Sequence, residues 1–202
     1  MFRKEFTVDK DVMCARLYVS GLGYYEAYLN GRRIGDYVLD PGWTDYRDRV
    51  FYSTFDVTPF LQKDLNCIGV MVGNGWYNPL PMRMWGRLNL RDHLSTGRPR
   101  FIAQLNIEFT GGSAQSIASS TDWRVHEGPV VRNNIYLGEV YDARSEIQGW
   151  SNPGLDDSQW CQAALSSDKI GPLQAQPQPP LKITAEVKPV EIMEPQPGIF
   201  IF

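Results

Sequence analysis

Near-paired carboxylates are the first residues in this sequence whose types and spacing could do chemistry: Asp45 with Asp48, Glu139 with Asp142, and Asp156 with Asp157. Two carboxylates facing across a cleft at roughly 5–9 Å can split a glycosidic bond, one protonating the leaving oxygen while the other activates water or attacks the sugar. Each of these pairs sits in a turn-like stretch, where Asp accepts from its own backbone, so local capping is the competing expectation. The histidines, His93 and His126, lie far apart with no second ligand at helical spacing, which excludes a two-histidine zinc motif. Gly21-Leu22-Gly23-Tyr24-Tyr25-Glu26 opens like a dinucleotide fingerprint, but Glu26 stands where the third glycine belongs and no helix pattern follows. Neither a GxSxG elbow nor a phosphate-binding loop occurs.

Rings beside polar side chains are the stronger lead. Trp43-Thr44-Asp45-Tyr46 follows Pro41-Gly42, and Asn74-Gly75-Trp76-Tyr77 closes an apolar run. A sugar is held where a flat ring covers its C–H face and Asp, Asn, Glu or Arg side chains take its hydroxyls. Trp43, Trp76 and Trp85 are therefore the candidate platforms, and Asp45, Asn74, Arg83, Glu139 and Asp142 the candidate hydroxyl partners. The opposing expectation is that Trp43, Trp76 and Trp123 plug the ends of a sandwich, leaving Trp85 as the most exposed ring. Calcium (Ca2+) is the one cofactor such loops suggest, because it takes about six to eight oxygens from carboxylates, amides and carbonyls. No loop here has a calcium-specific spacing.

Strands must position these residues. Ala15, Leu17 and Val19 alternate with Arg16, Tyr18 and Ser20, the period of a half-buried strand. Asn30-Gly31 between Tyr28-Leu29 and Arg32-Arg33-Ile34 is a strong hairpin signal. Residues 50–57 form a β-branched and aromatic run, after which Thr58 as N-cap and Pro59 at the first position predict one short helical turn through Lys63. Residues 67–72 are a near-continuous apolar strand closed by Gly73-Asn74-Gly75. From Trp76 to Pro99 the period is lost, and a loop of that length in a compact domain is usually functional or disordered. Phe101, Ala103, Leu105, Ile107 and Phe109 then give the cleanest alternation in the chain. Gly111-Gly112 turns it into a polar, edge-like strand over 113–119, and 138–144 predicts another strand.

The chain of 202 residues is 43% hydrophobic, with 6 Trp, 10 Tyr, 9 Phe, 18 Gly and 14 Pro. Many aromatics with many turn-formers, and no amphipathic helix of three turns, predict an all-β sandwich. A net charge of -3 gives no basic field for nucleic acid, and no apolar run approaches membrane-spanning length, so neither a nucleic acid nor a membrane is expected as partner. Cys14, Cys67 and Cys161 are widely spaced among apolar neighbours and read as small buried hydrophobes. No signal-peptide pattern opens the chain, and the compartment stays open, a periplasmic or extracellular site for a parent protein being compatible with it. The organisation expected is a sandwich over 1–165, a proline-rich linker over 166–180, and a truncated start of a further β-domain over 181–202, ending on Ile199-Phe200-Ile201-Phe202. The tail beyond Pro180 is expected to be protease-sensitive unless it pairs.

Several segments in order resemble one family. These are residues 15–23, 28–35 and 39–46, Gly73-Asn74-Gly75-Trp76-Tyr77, Gly138-Glu139-Val140-Tyr141-Asp142-Ala143-Arg144, Gly149-Trp150 and Asp156-Asp157-Ser158-Gln159-Trp160. Together they are similar to the N-terminal β-domain of bacterial α-L-rhamnosidases of glycoside hydrolase family 78. The resemblance implies a galactose-binding-type jelly-roll placed ahead of an (α/α)6 catalytic barrel. That missing catalytic domain would hold the carboxylates that cleave terminal α-L-rhamnose by inversion. It implies a non-catalytic domain that recognises an L-rhamnose-containing carbohydrate, in some members with calcium; a scaffold that braces the barrel is the alternative, and a self-sufficient hydrolase the third.

Overall fold

The computed structural model describes residues 1–79, 83–84 and 88–201. The first strands are β1 (Phe2–Val8), β2 (Val12–Leu22), β3 (Tyr24–Leu29), β4 (Arg32–Arg33), β5 (Val50–Asp56) and β6 (Asp64–Gly73). A small ribbon pairs β7 (Arg83–Met84) with β8 (Leu88–Asn89). Next come β9 (Arg100–Phe109), β10 (Ala114–Ala118), β11 (Arg124–Val125) and the hairpin of β12 (Val130–Asn134) with β13 (Gly138–Tyr141). β14 (Cys161–Gln162), β15 (Leu173–Ala175) and a terminal hairpin of β16 (Met193–Gln196) with β17 (Ile199–Ile201) complete the order.

Two sheets enclose the core: six strands ordered β14-β11-β1-β6-β3-β4, and five ordered β10-β9-β2-β5-β15. The protein is all-β, sandwich-like, and its period-two alternation decides which side chains meet. Ala15, Leu17 and Val19 of β2 with Ala103, Leu105 and Ile107 of β9 face Phe6 and Val8 of β1, Ala27 and Leu29 of β3, and Ile68 and Val70 of β6. Each such aliphatic side chain taken from water contributes about 1.5–3 kcal/mol, offset by the entropy of ordering it. Trp123 closes this core, 1% exposed, with its indole N–H donating to the Ala118 carbonyl at 3.0 Å and its ring 5.1 Å from Phe101. The plug expected of Trp123 is thus present.

Local chemistry fixes the turns. Asn30 (φ 52°) and Gly31 (φ 76°) join β3 to β4 with two left-handed residues, as a tight hairpin requires. A Cβ on Gly31 would lie 1.9 Å from Asn152 Oδ1, so a side chain at this left-handed corner would be strained and would displace Asn152. The turn after β5 differs from the sequence expectation. It is a 3-10 turn over Thr58–Phe60 only, and Val57 is its cap. The Thr58 hydroxyl is already used, accepting from Ala15 N at 2.9 Å and donating to Asp56 Oδ1 at 2.7 Å. Asp56, not Thr58, supplies the capping oxygen, accepting Thr58 N–H at 3.0 Å. Within the proline-rich tract, β15 adds to the edge of β5 in parallel, and just beyond the tract Lys182 pairs with Asp36 at 2.9 Å.

One buried cation ties the chain's far end to its beginning. Arg3 has no exposed side-chain surface. It donates to the carbonyls of Trp150 (3.0 Å) and Asn152 (3.0 Å), to Glu5 Oε1 (2.7 Å) and to the Asp157 carboxylate. Glu5 Oε1 also accepts Gly154 N–H at 2.7 Å. The segment 150–157 is thereby clamped onto the outer face of the six-stranded sheet, where Trp150 packs edge-on to Tyr28 with centroids 5.1 Å apart.

Cys67 is buried in β6, whereas Cys161 is exposed on an edge strand. Burial pushes the Cys67 thiol up to about 11 from its ordinary 9.0. A raised thiol value means the fold holds the neutral form, so this contribution is whole below pH 9.0 and is lost as pH rises towards about 11. Native alkylation at pH 8 followed by peptide mass spectrometry is expected to label Cys161 and leave Cys67 unmodified until denaturant is added. Equal labelling of both would show that β6 is not sealed.

Candidate functional site

Three loops converge beside the open end of β3 and β6. The first runs from Asp40 to Arg49 and is pinned at its start. The buried Asp40 carboxylate accepts from the Tyr25 phenol and from Ser53 Oγ at 2.7 Å, while its carbonyl accepts Tyr25 N–H at 3.1 Å. Burial, then the nearby Asp40 charge, pushes the Tyr25 phenol well above its ordinary range. Further along, the Asp45 carbonyl accepts from the N–H groups of Asp48 (3.0 Å) and Arg49 (3.1 Å), and Tyr46 buries its ring 5.4 Å from Tyr77. Between these anchors Trp43 is held outward, 48% exposed.

The second loop follows β6. A Cβ on Gly23 would lie 2.1 Å from the Gly73 carbonyl oxygen, and Gly75 adopts φ 49° against the Gly23 backbone. This glycine contact, the true role of the fingerprint-like Gly21-Leu22-Gly23, lets the 73–79 loop lie flat on the β2–β3 turn. The third loop joins β12 to β13 and is stitched to the second: Asn74 N–H donates to Asn133 Oδ1 (2.7 Å) and Asn74 Nδ2 to the Asn133 carbonyl (2.9 Å). Asn78 Nδ2 in turn donates to Asn74 Oδ1 at 2.7 Å.

The loops bring three rings together. Trp43 and Trp76 stack with centroids 4.6 Å apart and planes within 14°, and Tyr136 meets Trp76 edge-on at 5.8 Å. Beside them is a hollow of about 260 Å³ lined by Tyr24, Glu26, Leu39, Met71, Asn133 and Glu139, among others. Burial pushes the Tyr24 phenol up, with the adjoining Trp76 side chain acting in the opposite sense. Glu26 is spoken for, accepting from the Tyr28 phenol at 2.6 Å and pairing with Arg33 at 3.1 Å, whereas Glu139 is exposed on the hairpin opposite Asn133.

The structure therefore gathers Trp43, Trp76, Asn74 and Glu139 from the residues singled out in the sequence. Asp45 is exposed on the Trp43 loop, its carboxylate accepting from Arg47 N–H (3.1 Å), Nε (3.0 Å) and Nη2 (2.7 Å), and the Arg47 contacts hold it down at about 2. Asp142 is similarly lowered by Arg144, whose N–H and Nε it accepts at 3.0 and 2.8 Å while it caps the 3-10 turn Ala143–Ser145. Trp85 lies outside the described residues, and so does Met82; of Arg83 the backbone alone is described, in β7. Tyr24, Asn133 and Tyr136 were not legible as site residues. Their only signal is the Asn133-Asn134 pair in a hairpin whose tip, Tyr136-Leu137, is apolar and exposed.

For calcium the donor set does not fit. Among the described residues no three His, Cys, Asp or Glu side chains converge, and the carboxylates of Asp45 and Asp142 are bound by their own arginines. A stacked ring pair with one exposed face, flanked by amides and the exposed Glu139 carboxylate, is suited instead to a ligand with one apolar face and many hydroxyls.

Comparison with known proteins decides the family. Residues 10–185 match the family described as the alpha-L-rhamnosidase N-terminal domain. The chain belongs to that family. An alpha-L-rhamnosidase of Streptomyces avermitilis is 43% identical over 202 residues, covering 98% of this chain and 19% of the relative. Its crystal structure, complexed with L-rhamnose, superposes with a TM-score of 0.89 at 41% identity, over 98% of this chain and 19% of that one. The alpha-L-rhamnosidase of Dictyoglumus thermophilum superposes at 0.88 with 40% identity, over 98% and 21%. This rhamnosidase domain thus spans about a fifth of the length of the relatives it matches, and the three-loop cluster lies within the matched residues.

Proposed function

We propose that this rhamnosidase domain is a non-catalytic carbohydrate-recognition module of an α-L-rhamnosidase, with the Trp43–Trp76 pair as its stacking platform and L-rhamnose-containing glycans as its ligands. The stacked pair carries the reading. A scaffold domain would turn these rings into its core, as it does Trp123, yet Trp43 is half exposed at a junction of three loops. Asn74, Glu139, Asp45 and Asp142 are the hydroxyl partners of this reading, and Arg83 and Trp85 are added to it from the sequence alone. Hydrolysis is left to the missing catalytic domain of the longer polypeptide, and the two sheets are read as a galactose-binding-type jelly-roll.

Calorimetric titration with L-rhamnose, repeated with calcium and then chelator, tests it. Saturable heat is expected without calcium, and Trp43→Ala is expected to weaken binding about tenfold, the loss of one well-placed ring. Absence of heat at millimolar sugar would favour the scaffold reading. One observation supports that alternative: Met193, Ile199, Phe200 and Ile201 of the terminal hairpin are half exposed, as residues awaiting a neighbouring domain would be. The chain is read as a sandwich over 1–165, a connecting tract over 166–180 that lends β15 to its sheet, and the start of a following β-domain over 181–202.

A further inference from the structure

The outer face of the five-stranded sheet presents a second array of rings and amides, separate from the Trp43–Trp76 cluster. Strand register places its side chains in rows. Across one row stand Ala118, Gln104, Tyr18 and Thr54; beside it Ile102 opposes Ser20, and Tyr52 opposes Ala175. Tyr18 and Tyr52 meet edge to face with centroids 6.1 Å apart. Their neighbours Ala118, Ser20, Thr54 and Ala175 are short, so nothing overhangs the rings. A hollow of about 200 Å³ lies here, lined by Tyr18, Tyr52, Gln104, Ile102, Ser119 and Leu173 among others. It adjoins one of about 250 Å³ that shares Ser20, Ile102, Ser119 and Leu173, which makes a track rather than a pit.

We propose that this face is a second glycan-binding surface, taking an extended, neutral oligosaccharide along the Tyr18–Tyr52 track. The polar groups decide between a sugar and a protein as occupant. Among the described residues, the Tyr18 and Tyr52 phenols have no hydrogen-bond partner, and neither do Gln104 Oε1 nor Asn106 Nδ2. The other halves of those amides are ordered, with Gln104 Nε2 donating to Asn106 Oδ1 at 2.9 Å and Ser116 Oγ to the same oxygen at 2.9 Å. A dry protein interface would strand the free groups at about 1–3 kcal/mol each. Sugar hydroxyls satisfy them while the pyranose C–H faces cover the rings. The charged side chains at the track come in opposed pairs: Arg16 and Asp56 face each other in register one row away, and Arg100 and Asp168, which line the adjoining hollow, form an ion pair, so the field over the track is close to neutral. That is why the ligand is an uncharged glycan.

Affinity electrophoresis through gels containing a neutral rhamnan, galactan, arabinan or glucan tests the surface. Retardation by at least one polymer is expected, and the double variant Tyr18→Ala/Tyr52→Ala is expected to weaken it about tenfold. Gln104→Ala, which removes no ring and leaves packing intact, should weaken it in the same direction with an unchanged melting curve. L-rhamnose heat at the tryptophan pair should survive both changes. Retardation by none of the polymers, or retardation that persists in both variants, overturns the proposal and leaves this face to protein packing. The two readings separate cleanly: loss of the first shows as absent monosaccharide heat, loss of this one as absent polymer retardation.

Discussion

Arg3→Met is expected to lower the unfolding free energy by about 3 kcal/mol, read as a fall in urea midpoint with little change in slope. The side chain is enclosed and its guanidinium fork serves three carbonyls, that of Leu155 at 3.5 Å among them, and two carboxylates at once. Methionine fills the volume but donates nothing. Glu5 and Asp157 then face one another without the cation between them, and the Trp150 and Asn152 carbonyls lose their donor. Removing one member of a buried ionic cluster costs about 3–5 kcal/mol. The lower end applies here, because the Glu5 and Asp157 side chains keep 30% and 24% of their exposure and water partly replaces the lost charge. The pair Lys4–Asp122 supplies the contrast on the same strand: Asp122 is 59% exposed, so Lys4→Ala should cost under about 1 kcal/mol. Arg3→Lys should fall between, since an ammonium keeps the charge but cannot span five acceptors. A near-neutral Arg3→Met would show that residues 150–157 are held by packing of Trp150 instead.

The fold was legible where a strand has one wet and one dry face. The alternation of 15–20 and 101–109 predicted β2 and β9 with the right residues inward, because burial on one side leaves a period that survives any tertiary context. Asn30-Gly31 was equally plain, since few other dipeptides adopt two left-handed conformations cheaply. The turn at Thr58 was not. Its hydroxyl had two candidate partners, and the one that won, Ala15 N–H, lies 43 residues away, where no local rule reaches.

The site was half legible for a related reason. Trp43 and Trp76 stand out by residue type and by the Gly and Pro around them, but which of the tryptophans would be core depends on strand order. Trp123 goes inward because β11 pairs with β1 and places it beneath Phe101, and Trp43 goes outward because Asp40 and Tyr46 are anchored on either side of it. Asp45 and Asp142 were drawn from the sequence as paired carboxylates, Asp45 also as the neighbour of Trp43. Each has an arginine two residues later, and the bidentate ion pairs these form were readable from that spacing. Asn133 and Tyr136 belong to the site only because Asn74 reaches across 59 positions to bond Asn133, a contact no pattern encodes.

If the proposed recognition module binds L-rhamnose at the stacked pair, Trp76→Ala is expected to weaken that binding by about 2–3 kcal/mol, some 30–150-fold, more than Trp43→Ala, although Trp43 is the more exposed ring. The reason is position in the stack. Trp76 supports Trp43 on one face at 4.6 Å and meets Tyr136 by its edge, so its removal unseats both neighbours as well as deleting its own surface. Trp43 retains only its loop anchors and is then free to rotate, so its contribution to a ligand disappears with its support. This makes the two rings non-additive, and a double-mutant cycle reads it directly. Trp43→Ala placed in the Trp76→Ala background should cost almost nothing further, whereas two independently binding rings would give losses that sum. Trp76→Phe keeps a ring in the stack and should recover part of the loss. Equal, additive losses would mean that Trp43 is held by the turn Asp45–Arg49 alone and that the stack is not the platform.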